Sequence, residues 1–298
     1  MRSPTGNLVL APTADGSMTL FSEDFGEWFH SRAGAYTEAY TTYVDATGLV
    51  RLAQSPSLNL LDVCYGLGYN TAAALDTILQ VNPACQVQLM ALELDPRVPR
   101  QAVQAQLIDS WSAPVQACLQ ELATTGQAQR SWLEATVLWG DARHCIQAVE
   151  ASGFQADVIF FDPFSPPHCP ELWTVEFIAR VSRCLSPEGK LATYSAAAAA
   201  RTAFRLAGLS IGPLATASRR WPGTLAQVKA LGLDQLSAPE HEHLLTRAAV
   251  PYRDPNLNDS ADTIRQRRQR EQADSDLVPT SHWRKRWLST HSKVPSTR

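Results

Sequence analysis

An open, doubly wound, mostly parallel α/β sheet, with a small β-rich extension ahead of it, is the fold this sequence predicts. Three observations point to it. Between residues 58 and 195 short apolar, β-prone runs alternate with stretches of helical spacing, the rhythm of parallel strands joined by helical crossovers. Several of those runs end in an acid or a glycine turn, and the carboxyl edge of such a sheet is where ligands bind. Ahead of residue 55 the rhythm differs, with alternating runs set around an Asp-Gly turn.

In chain order, "NLVLAPT" and "SMTLFSE" flank Ala14-Asp15-Gly16 and predict a hairpin, with "EWFHS" as a third strand. From Gly34 to about Gln54, Tyr36, Tyr40, Tyr43, Val44 and Leu49 recur near helical spacing, so 1–55 reads as a β-rich extension with an entry helix. "LNLLDVC" opens the main sheet and "TAAALDTILQ" is its first crossover helix. "QVQLMALELD" is the second strand, followed by mixed helical segments to about Leu122. "ATVLWGD" is the third, with helix "ARHCIQAVEA". Asp157–Phe161 is the fourth, with a helix from about Glu171 to Leu185. "KLATYS" is the fifth, backed by "AAAAARTAFRLAG". Segments 209–217 and 224–230, split by "SRRWPG", predict a terminal antiparallel hairpin that completes a Rossmann-like domain over 56–237.

The remainder, 238–298, is a basic extension. From residue 251 onward it holds ten Lys+Arg against six Asp+Glu, in a chain whose formal net charge is −3. A solvated, partly helical segment wrapping the domain is the expectation from charge alone, with a nucleic-acid arm as the sharper alternative.

Composition fits a globular enzyme. Of the 298 residues, 45% are hydrophobic and 18% charged, enough for a substantial core. No apolar run approaches the ~20 residues that span a bilayer. The opening "MRSPTGNLVLAPTADGS" lacks the continuous apolar segment of a signal peptide, so a cytoplasmic location is expected. The six cysteines, Cys64, Cys85, Cys118, Cys145, Cys169 and Cys184, have no metal-ligand spacing, and adjacent pairs such as His144-Cys145 and His168-Cys169 diverge on regular backbone. Free thiols and no metal are expected.

The chemistry begins at "LLDVCYGLGYN". Gly66 and Gly68 occupy the first strand-to-helix turn, where missing side chains let a ligand approach backbone N–H groups. Asp62 ends the first strand. Glu93 ends the second, about 25 residues past the glycines, where an acid can accept from ribose hydroxyls. Asp141 ends the third, placed to accept from an adenine amino group. Tyr65, Asn70 and Ala142, beside these, complete the expected cofactor set. There is no G-x-x-x-x-G-K-[ST], and position 71 is Thr where a dinucleotide fingerprint has its third glycine. Acids crowding the first turn suit a cationic ligand. S-adenosylmethionine fits, its amino group meeting Asp62, and the pattern resembles the class I (Rossmann-like) S-adenosylmethionine-dependent methyltransferases.

The fourth strand runs into "FFDPFSPPHCPELW". A carboxylate followed at once by proline puts Asp162 at the sheet's carboxyl edge, in a loop that cannot extend the ladder.

Four stretches carry a narrower resemblance: "TADGSMTLFSEDFGEWFHSRAGAYTEAYTTYV" at 13–44, "DVCYGLGYN" at 62–70, "DVIFFDPFSPPHCPELWT" at 157–174 and "KLATYSAAAAARTAFRLAGL" at 190–209. Together they resemble the methyltransferase domain of the bacterial tRNA 5-methylaminomethyl-2-thiouridine enzymes (MnmC-type), in a stand-alone form without the flavin oxidoreductase domain. That family usually has glycine where Cys64 stands. The resemblance implies methylation of the primary amine of 5-aminomethyl-(2-thio)uridine at the tRNA wobble position. On that reading Asp162 holds the amine and takes its proton, and Phe164 offers a flat face to a uracil or a sulfonium. Pro163 stiffens the loop and Trp173 opens the next helix. Glu38 and His30, in the N-terminal block, join these as expected substrate-binding residues. tRNA is the expected partner, met by Arg219, Arg220 and the basic 265–286 arm, with Arg201 and Arg205 on the same basic face. Two rival readings share the fold: an aminopropyltransferase of the spermidine synthase type, and a non-catalytic RNA-binding protein.

Overall fold

The computed structural model of the chain describes residues 4–215 and 221–288. Leu8–Pro12 (β1) and Met18–Ser22 (β2) pair antiparallel around the Asp15-Gly16 turn, Leu10 opposite Leu20, and Glu27–Trp28 (β3) pairs with β2. The entry helix is not one helix. Ala35–Glu38 is α-helical, Ala39–Asp45 winds as a π-helix, and a left-handed Gly48 precedes a short turn at Leu49–Leu52. Periodicity of three to four cannot distinguish these windings, because a π-turn adds only one residue per turn.

Beyond it lies an eight-stranded sheet. Ser57–Val63 (β4), Gln86–Glu93 (β5), Gln127–Gln129 (β6), Leu133–Trp139 (β7), Ala156–Phe161 (β8), Leu185–Thr193 (β9), Ser210–Leu214 (β10) and Gly223–Gln227 (β11) stand in the order β10-β11-β9-β8-β4-β5-β7-β6. β7, β5, β4, β8 and β9 are mutually parallel, while β11, β10 and β6 run antiparallel to their neighbours. The expected hairpin at the end of the domain is therefore β10–β11, and β6 is an edge strand too short to show as a pattern. β9 begins at Leu185, ahead of "KLATYS", with a register irregularity between the Ala156 and Val158 pairings. Chain order reverses between β4 and β8, so this gap is the topological switch point.

Strand residues alternate between two cores. Leu58 and Leu60, Leu89 and Ala91, and Val158 and Phe160 pack on one face with the Ala35–Leu52 segment. Leu61, Val63, Leu92, Ile159 and Phe161 pack on the other. Asp62, Glu93 and Asp162 each lie two positions past a residue of the first face, so the pleat sends all three acids to one side at the carboxyl edge.

The C-terminal segment packs against the domain. It carries the helices Ala238–His243, Ala261–Asp274 and Thr280–Trp287, and two buried ion pairs join the segment to the domain, Arg201–Glu240 at 2.8 Å and Arg143–Asp254 at 2.7 Å. A partly exposed pair, Arg253–Glu176 at 2.7 Å, adds to these. Its cations are largely engaged within the fold. Arg268 donates to the Val250 and Ala248 carbonyls and lies over the Tyr252 ring, Arg267 pairs with Asp259, and Arg286 with Glu242. The segment 265–286 is thus not a free basic arm.

Candidate active site

At the β4 edge the backbone turns sharply. Cys64 has φ +72°, Gly66 +56° and Gly68 +83°, and the helix Tyr69–Val81 starts at once behind them. A Cβ on Gly68 would come within 2.7 Å of the Tyr65 hydroxyl, so glycine is required there. Cys64, where the resembling family has glycine, occupies a left-handed conformation that costs an L-residue roughly 1–2 kcal/mol. Glu93 braces the turn: one carboxylate oxygen accepts from the Gly66 N–H and the other from Asp95 N–H, both at 2.8 Å. Below it Asp62 is wholly buried, with one oxygen accepting from the Thr71 hydroxyl at 2.7 Å and the other unpaired among the described residues. Burial pushes both acids up to about 7, against the Thr71 bond for Asp62 and the backbone bonds for Glu93.

Asp162 lies across the β4–β8 gap, its N–H bonded to Val63 O at 3.0 Å. Its carboxylate accepts from Asn70 Nδ2 at 2.8 Å, and the Tyr43 hydroxyl lies against it without completing a well-formed hydrogen bond. The group is half-buried and lines a cavity. Burial first, and then the negative charge of Glu38, raise its pKa well above the carboxylate range, with Tyr43 and Asn70 opposing. Glu38 itself is buried and accepts from Ser31 N–H at 2.8 Å.

The proline-rich loop after Asp162 has few N–H groups of its own, and other elements cap its carbonyls. Tyr194 OH donates to Pro163 O at 2.8 Å, Trp173 Nε1 to Phe164 O at 2.8 Å and Arg265 Nε to Pro167 O at 3.1 Å. Ser165 N–H is taken by Glu27 of β3 at 2.7 Å. The Phe164 ring stacks on Phe25 at 4.6 Å between centroids and meets Phe29 edge-on at 4.9 Å.

These groups enclose one cavity of about 280 Å³, floored by the glycine turn and roofed by the N-terminal sheet and the chain after it. Tyr65, Gly66, Asn70, Glu93 and Ala142 line it from the expected cofactor side, and Asp162, Pro163, Phe164, Glu38 and His30 from the expected substrate side. His30 is held between Thr19 and the Tyr69 ring, and burial lowers its pKa to about 4, so it is neutral at pH 7. Four expected residues stand outside the lining. Gly68 caps the helix behind the turn, and Asp62 lies beneath the floor. Trp173 is wholly buried against Phe161 and Tyr194, so it positions the loop from behind instead of meeting a ligand. Asp141 N-caps the helix Ala142–Ala151. Burial opposes its ionisation, yet hydrogen bonds from Arg143 hold its carboxyl well below the usual range. Arg201 is buried against Glu240, Thr224 and Gly223 O and offers nothing to a phosphate; Arg219 and Arg220 lie outside the described residues. Among the described residues, no group of three or more His, Cys, Asp or Glu is placed to hold a metal, and no helix is long and apolar enough to cross a membrane.

Sequence reasoning missed the roof: Phe25, Trp28, Phe29 and Arg32 line the cavity, as does Tyr194. Their signal was the density of aromatic residues in "DFGEWFH", which reads equally as core.

A family model described as S-adenosyl-L-methionine-dependent methyltransferase matches residues 99–229. The crystal structure of MNMC2 from Aquifex Aeolicus superposes with a TM-score of 0.80 at 30% identity, covering 91% of this chain and 87% of that one. The chain belongs to the MnmC2-like methyltransferase family. It is an S-adenosylmethionine-dependent methyltransferase, which separates it from the aminopropyltransferases and from non-catalytic users of the fold. An uncharacterized protein of Methanocaldococcus jannaschii (MJ0670) is 29% identical over 86% of this chain and 70% of its own length. The tRNA 5-methylaminomethyl-2-thiouridine biosynthesis bifunctional protein MnmC of Aromatoleum aromaticum is 29% identical over 67% of this chain, which spans 32% of that relative.

The residues present fit the cofactor. Unpaired buried acceptors at Asp62 and Asn70, the braced glycine turn and the Glu93 carboxylate form a donor-seeking, anionic wall suited to a cationic nucleoside.

Proposed function

We propose that this methyltransferase acts on the aminomethyl nitrogen of 5-aminomethyl-(2-thio)uridine at the tRNA wobble position, Asp162 being the group that receives the amine's proton. The observation that carries this reading is a desolvated carboxyl at the end of the cavity, with Glu38 beside it and an aromatic wall of Phe25, Phe29 and Phe164 around it. The names of the bifunctional MnmC relatives support the choice of substrate.

S-adenosylmethionine supplies, when bound, an electrophilic methyl group; the chain's residues must supply a neutral amine. A primary alkylamine with a pKa near ~10.4 is neutral in only about one molecule in 10³ at pH 7. An ordinary carboxylate would be a poor base for it. Burial changes both partners: it raises the proton affinity of Asp162 and lowers that of the amine, so their pKa values converge. Glu38 adds negative charge that draws the ammonium in and strengthens Asp162 as acceptor. Asn70 fixes the Asp162 carboxylate by its amide N–H. Phe164, propped by Phe25 and Phe29, offers its ring to a flat base.

The test is methyl transfer from labelled S-adenosylmethionine to tRNA carrying 5-aminomethyluridine, to the same tRNA without the aminomethyl group, and to putrescine. Label in the first alone supports the proposal. Label in putrescine, or in none of the three, sinks it.

A further inference from the structure

The cavity carries its charges unevenly. Among the described residues, five carboxylates, Glu27, Glu38, Glu93, Asp95 and Asp162, face or rim it, and Arg32 is the one Lys or Arg of its lining. Arg32 is exposed, and its guanidinium lies over the Trp28 ring with 5.0 Å to the centroid. The same indole packs against Phe21, tilted, at 5.1 Å between ring centroids, which holds the platform to the N-terminal sheet. Among the described residues the guanidinium has no carboxylate partner, whereas Arg97, nearby in the fold, is bound bidentately to Asp95. The next residue inward, Ser31, gives its N–H to Glu38, which faces Asp162. A cation at the rim and carboxylates at the end are thus joined by one short run of backbone.

The geometry points to a phosphate subsite at the mouth of the cavity, formed by Arg32 stacked on Trp28, which holds the phosphodiester of the nucleotide whose amine enters. The inference rests on the amine-site reading above and deepens it: the substrate is an amine carried on a polyanion. An acidic cavity alone attracts any ammonium and repels phosphate. A guanidinium pre-aligned on an aromatic ring, with no carboxylate partner among the described residues, reverses that repulsion where the polyanion meets the cavity. Free polyamines gain nothing from it, and a nucleotide does.

The experiment compares an anticodon stem-loop RNA bearing 5-aminomethyluridine with the free nucleoside, for wild type, Arg32→Ala and Arg32→Lys. The ratio of kcat/KM, stem-loop over nucleoside, is expected to fall about tenfold in Arg32→Ala, the loss of one charge-assisted contact. Arg32→Lys, which keeps the charge, recovers most of it. The slope of log kcat/KM for the stem-loop against log salt is expected to shallow by about 0.7 in Arg32→Ala alone. Equal loss on both substrates, or a ratio and slope equal to wild type, overturns the subsite while leaving the amine reading intact. A wild type that methylates neither substrate overturns the amine reading, and the subsite's assigned ligand with it.

Discussion

Asp254 ties the C-terminal segment to the domain through a buried ion pair, and its replacement by Asn tests that tie. Asp254 is fully buried and Arg143 is 2% exposed. One Asp254 oxygen accepts from Arg143 Nη1 at 2.7 Å, and the other from the N–H groups of Asn258 and Asp259, both at 3.1 Å. Arg143 turns its other edge to Asp141 at 2.7 Å, so one guanidinium bridges two carboxylates. Asparagine keeps the volume and one oxygen for the backbone pair, but it sets an amide N–H₂ against the guanidinium and removes the charge-assisted bond between segment and domain. Removing one member of a buried pair costs about 3–5 kcal/mol, and because Asp141 remains, the lower end, about 3 kcal/mol, is expected here. That corresponds to roughly 6–12 °C in Tm. Urea unfolding followed by tryptophan fluorescence gives the change as a shift in midpoint at constant slope. Glu150→Gln is the reference: its pairs with Arg180 and Arg183 are partly exposed, and each is worth about 1 kcal/mol or less. An Asp254→Asn midpoint as close to wild type as that of Glu150→Gln would refute the tie.

Asp162→Asn keeps the Asn70 neighbourhood filled but cannot take a proton, and kcat is expected to fall by at least about 10²-fold with cofactor affinity retained, read by single-turnover transfer and calorimetry. Tyr43→Phe removes a hydroxyl whose influence lowers the Asp162 pKa, so the acid limb of the kcat/KM profile should move to higher pH without loss of the folded state. Asp62 and Glu93 are raised from 3.8 and 4.5 to about 7, so between those values the folded chain holds protons that the unfolded chain has lost. In the absence of cofactor these two acids should therefore make stability fall as pH rises from about 4 to 7, against the rise that the buried neutral His30 contributes between about 4 and 6.5; Asp62→Asn should remove part of the fall, read as the difference between wild type and variant in a thermal-shift series. Affinity for S-adenosylmethionine should rise over the same interval, because a cation favours the ionised acids.

Much of this was legible because one physical signal dominated locally. β4, β5, β7 and β8 are short apolar runs bounded by Gly, Pro or acid, and no competing pattern fits them. The acids at their ends were visible for the same reason, since a carboxylate interrupting an apolar run is expensive to bury without a purpose. What the carboxylates do was less legible. Asp141 is committed to Arg143, and Arg143 to a residue more than a hundred positions away, a pairing with no local trace. Trp173 follows the loop in sequence, and adjacency suggested contact with a ligand, whereas its indole reaches back to the Phe164 carbonyl. The arginines of "RQRRQR" left a wrapping segment and a charged arm both open, because charge counts ignore carbonyl acceptors; Arg265, Arg267 and Arg268 all donate to main-chain oxygens. The π-winding of Ala39–Asp45, which carries Tyr43 to Asp162 on the chain just past Glu38, leaves no mark in residue spacing.

The loop after Asp162 owes its shape to distant side chains: Tyr194 beyond β9, Trp173 behind the loop, Arg265 in the C-terminal segment and Glu27 in the N-terminal sheet. A loop held in this way can be retuned without being mutated. Shortening one of its four tethers, or lengthening another, would tilt Phe164 and Asp162 relative to the glycine turn while every residue facing the substrate stayed the same. Chains that keep the D-P-F-S motif can therefore differ in which substrate they accept, with the differences lying at positions that never touch it.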